Sequence, residues 1–62
     1  MFSYYELVAL VDLHSKTVNG SWTVDIPALR NELTNTFALQ DYEVQHVIFQ
    51  MQDKGLLPNG ES

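Results

Sequence analysis

The chain has 62 residues, 45% of them hydrophobic, with eight acids against three bases and a formal net charge of −5 at pH 7. One small domain is the most it can form, and a chain of this size hides only about 60% of the surface that its unfolded form exposes. The absence of cysteine excludes disulfides and thiolate zinc sites, which leaves efficient helix packing or a second subunit as the source of stability.

Lys16, Arg30 and Lys54 are too few for the basic stripe that neutralises duplex DNA, and the acidic balance also disfavours anionic membranes. No apolar run approaches the ~20 residues of a spanning helix. The N-terminus has neither the basic region nor the cleavage site of a signal peptide. A soluble cytoplasmic protein is therefore expected, with no metal and no cofactor, His14 and His46 being far apart in sequence.

The first helix is predicted over residues 3–15. Ser3 and Glu6 have capping-box spacing, and Phe2 and Leu7 are placed for a hydrophobic staple. Tyr4, Leu7, Val8, Leu10 and Val11 form a broad core stripe. Tyr5, Ala9 and Leu13 leave apolar surface on the other side, beside Glu6 and Asp12. This surplus suits a helix covered by another chain, although scattered exposed apolar residues are also normal.

Residues 16–21 read as a loop around Asn19-Gly20, and Ser21-Trp22-Thr23-Val24 as a brief strand too short to form a sheet alone. The second helix spans about 25–34, with Asp25 as its cap, Pro27 in its first turn, and Ile26, Leu29 and Leu33 on its buried face. Thr34-Asn35-Thr36 breaks it, and Phe37-Ala38-Leu39 should plug into the core. The third helix runs about 41–54, capped by Asp41 and closed by Gly55, with Val44, Ile48 and Met51 inward. Pro58 to Ser62 is turn chemistry.

Thr23-Val24 entering the second helix, Leu29 and Leu33 within it, then Val44, Ile48, Met51 and Gly55-Leu56-Leu57 together resemble the winged helix-turn-helix domain family across residues 21–57. The resemblance implies a mainly α, compact three-helix domain with at most a short β element, and a third helix in the position of a recognition helix. Two features depart from the family pattern. The segment between Leu33 and Val44 is longer than a tight turn, and the chain after Leu57 leaves room for only a stub of a wing. A second, partial resemblance links Tyr4, Leu7, Val8, Val11 and Asp12 to the entry helix of an EF-hand, with Asn19-Gly20 in the loop and Asp25 near its end. His14, Lys16 and Val18 stand where calcium needs oxygen ligands.

Catalysis has little to build on. Asp12, His14 and Ser15 are too close in sequence for a triad whose members converge from separate elements. The constellation with more content is the outer face of the third helix, where Tyr42, His46 and Phe49 recur at i, i+4 and i+7, flanked by Gln45, Gln50 and Asp53. Glutamines pair with adenine edges, but no arginine accompanies them, and aromatics are enriched in protein interfaces. The competing reading packs Phe49 under Trp22 or Phe37. The expectation is a non-enzymatic interaction or regulatory protein acting through protein contacts, with a homodimer as one form. Tyr42, Gln45, His46, Phe49, Gln50, Tyr5 and Leu13 are the candidate partner-binding residues. A helix-turn-helix DNA-binding regulator and a degenerate EF-hand-like calcium module are the alternatives.

Overall fold

The computed structural model describes residues 2–58. Three helices and one hairpin follow in the order α1 (Tyr4–Leu13), β1 (Ser15–Val18), β2 (Ser21–Val24), α2 (Ile26–Asn35) and α3 (Asp41–Asp53). The fold is mainly α with a small antiparallel sheet. The expected turn at Pro58–Ser62 lies, after Pro58, outside the described residues.

Local chemistry sets most of the boundaries. The Ser3 hydroxyl accepts from the Glu6 amide at 3.2 Å, and the Glu6 carboxylate accepts from the Ser3 amide at 2.7 Å, a complete capping box. Asp25 caps α2 by accepting from the Ala28 amide, while Val24 before the cap and Leu29 in the next turn are both buried, as a hydrophobic staple requires. At the end of α3, Gly55 adopts φ +72°. The Leu56 amide then reaches back to the Met51 carbonyl and the Gly55 amide to that of Gln52, the bond pair of a Schellman stop. The cap of α3 is Gln40 rather than Asp41, because the helix starts one residue earlier; the Glu43 carboxylate accepts from the Gln40 amide at 2.9 Å.

The segment read as a loop is half of a hairpin. Ser15 to Val18 pairs antiparallel with Ser21 to Val24, in the register Thr17 opposite Trp22 and Val18 opposite Ser21. Asn19 (φ +52°) and Gly20 (φ +79°) make the connection, the two positive-φ positions of a type I′ turn. The Asp25 amide donates to the His14 carbonyl at 2.8 Å and closes the foot of the hairpin. Residues 15–18 and 21–24 thus form two paired strands joined by a two-residue turn.

The core joins Leu7, Leu10 and Val11 of α1, Val24, Leu29 and Leu33, and Val44, Val47, Ile48 and Met51 of α3, with Leu57 below. Each such side chain contributes about 1.5–3 kcal/mol when fully buried. Two expectations need correction. Tyr4 is 52% exposed, because the buried face of α1 centres on Leu7, Leu10 and Val11 and leaves Tyr4 at its edge. Phe37 is 40% exposed and does not plug into the core. Ala38 turns the chain with φ +56°, Leu39 takes the inward place, and the Phe37 ring stands edge-on to Phe2 at 5.1 Å.

Candidate protein-binding surface

The outer side of α3 presents the stripe that its spacing predicts. At about 100° per residue, Val44, Val47, Ile48 and Met51 fall on one side of the helix and Tyr42, His46, Phe49 and Asp53 on the other. The first four are buried, whereas Tyr42 is 70% and Phe49 63% exposed. His46 is exposed as well. Phe49 therefore packs under neither Trp22 nor Phe37. With a rise of about 1.5 Å per residue, the stripe from Tyr42 to Phe49 extends roughly 10 Å along the helix.

The two flanking glutamines differ. Gln45 is exposed, and its Oε1 accepts from both Nη1 and Nη2 of Arg30 at 3.3 Å, so the guanidinium of α2 leans onto the edge of the stripe. Gln50 lies between stripe and core. It is half-buried, and its Oε1 is shielded from solvent without a hydrogen-bond donor.

Tyr5 (83% exposed) and Leu13 (66% exposed) belong to α1 rather than to the stripe. The Tyr5 ring meets Tyr4 edge-on at 6.0 Å. Leu13 lies at one end of an open groove that the sequence did not single out. A cavity of about 220 Å³ is lined by Phe2, Glu6, Ala9, Leu10, Leu13 and Phe37. A second of about 440 Å³ shares Phe2, Glu6 and Phe37 and continues to Leu39 and Glu43. The signal for it was a repeated pattern. Phe2-Ser3-Tyr4-Tyr5-Glu6 and Leu39-Gln40-Asp41-Tyr42-Glu43 each place an apolar residue, a cap and a glutamate at a helix start. The fold brings those two starts to one groove.

The residues considered for chemistry serve as structural links. His14 is the C-terminal cap of α1, and its Nε2 lies 2.5 Å from Glu32 Oε1 of α2, with both side chains largely shielded. The Ser15 hydroxyl donates to the Asp12 carbonyl. Among the described residues, no group of three or more His, Asp or Glu side chains is placed to hold a metal ion, and no helix is long and apolar enough to cross a membrane.

No family model, curated protein or solved structure matches this chain.

Proposed function

We propose that this chain is a small non-enzymatic interaction module that acts through protein contacts, with the outer stripe of α3 as its principal surface. One observation carries the reading: Tyr42 and Phe49 stand 70% and 63% exposed on the side of α3 opposite its buried residues. Large aromatic rings left in water on a regular helix contribute little to the fold, and they are the side chains that dominate protein interfaces when covered. His46 lies between them, and the Arg30–Gln45 pair supplies a polar rim. The test compares the chain with its Tyr42→Ala/Phe49→Ala variant. Unchanged thermal stability with loss of captured partner, or of concentration-dependent self-association in sedimentation, supports the reading. Equal capture and equal association by the two proteins rejects it.

A winged helix-turn-helix-like ancestry is the companion proposal. The order of helix, hairpin, helix and helix, with the glycine exit at Gly55, favours it. The hairpin precedes α2 instead of following α3, so no wing flanks the stripe among the described residues. DNA contact along α3 then falls to a face on which the guanidinium of Arg30 already bonds Gln45. Polarisation titration with duplex DNA at low salt is the measurement, because phosphate-driven binding is strongest there; absence of binding removes the DNA-binding form of this reading.

A further inference from the structure

The groove between α1 and residues 37–43 has a definite chemistry. Its floor and walls are apolar, formed by Phe2, Ala9, Leu10, Leu13, Phe37 and Leu39. Among the described residues, its only ionisable lining residues are Glu6 and Glu43. Each uses Oε1 to accept from the amide of its own cap residue, which leaves the second carboxylate oxygen to a donor from outside. A helix N-terminus contributes only about half a positive charge, so two N-termini do not cancel two carboxylates, and the described lining of the groove is net negative. None of the chain's three bases lines it.

We infer that this groove docks a basic amphipathic segment of a partner protein, apolar side chains entering between Phe2, Leu13 and Phe37 while lysine or arginine meets Glu6 and Glu43. A second copy of this chain is the poorer occupant. It carries a net charge of −5 and only three bases, one of them already bonded to Gln45. The inference deepens the reading of the chain as a protein-binding module but uses a different surface, so failure of the α3 stripe to capture a partner leaves it standing.

The experiment uses short amphipathic peptides of leucine and alanine with either lysine or glutamate on the polar face, titrated at low ionic strength into the isotope-labelled chain. Amide shifts locate the binding surface. The lysine peptide is expected to move Phe2, Ala9, Leu13 and Phe37, and the glutamate peptide to bind far more weakly. The Glu6→Gln/Glu43→Gln variant keeps a capping acceptor at both positions and is expected to weaken the lysine peptide about three- to tenfold, the scale of two exposed ion pairs. Ala9→Gln, at an exposed position, fills the groove without charge and should abolish groove binding while the circular dichroism spectrum is retained. Three results overturn the inference: equal affinity for both peptides, shifts confined to the α3 stripe, or groove shifts that depend on protein concentration alone.

Discussion

The α3 stripe and the groove both expose aromatic rings, but they hold them differently. Tyr42 and Phe49 project from a helix whose opposite face is fully engaged in the core. Phe2 and Phe37 lean on one another edge-on across the groove, with the buried Leu10 among the lining residues. Removing a ring from the stripe takes away exposed apolar surface and little packing. Removing one from the groove also loosens the packing between α1 and the link to α3. Exposure alone therefore does not tell which rings the fold depends on; what the ring touches in the free protein does.

Graded substitutions turn that contrast into numbers. Leu10→Ala has the largest expected effect, because it opens a hole in the core beneath the groove: about 2–5 kcal/mol in denaturant unfolding, as for other buried leucines. A loss that large in a domain this small leaves little folded protein. Phe37→Ala comes next, at about 1–2 kcal/mol, since it removes a half-exposed ring and the aromatic pair with Phe2. Glu43→Ala deletes the carboxylate that accepts from the Gln40 amide at the cap of α3 and should cost about 1 kcal/mol, with Glu43→Gln recovering most of it. Ala38→Gly works in the opposite direction. A left-handed residue with a Cβ is strained by about 1 kcal/mol, and glycine's greater unfolded freedom offsets part of the relief, so thermal unfolding should register a gain of roughly 0.5 kcal/mol. Phe49→Ala closes the series, within about 0.5 kcal/mol of the parent in the same assay. A loss there comparable to that of Phe37→Ala would erase the distinction between the two surfaces.

How far the sequence anticipated this depends on what each signal encodes. The Ser3–Glu6 box, the Asp25 cap and the Gly55 stop were legible because they pair a residue type with a backbone position a few residues away. Val44, Ile48 and Met51 were legible from helical periodicity, and Val47, equally buried, belongs to the same face. The strand Ser15 to Val18 was hidden because it is held by backbone bonds to β2 while Lys16, Thr17 and Val18 stay exposed, so burial left no alternation to read. Asn19-Gly20 between two β-branched runs was the available clue. Phe37 misled because hydrophobicity suggests burial, whereas its place depends on the positive φ of Ala38 and the approach of Phe2, a tertiary matter. Among the candidate binding residues, the spacing of Tyr42, His46 and Phe49 located one exposed stripe. The groove was not visible as such, because its walls come from residues more than thirty positions apart.

The closure between the His14 carbonyl and the Asp25 amide also has a topological consequence. It brings the end of α1 and the start of α2 within one hydrogen bond of each other, so the helices are joined in space as if by a single short link, and residues 16–23 form an excursion from it. Val24 must stay for the core, but the excursion itself is replaceable. Insertion of a peptide tag or a reporter between Asn19 and Gly20, at its exposed tip, offers a way to label the chain at residues that belong to neither the stripe nor the groove, while the three helices keep their mutual packing.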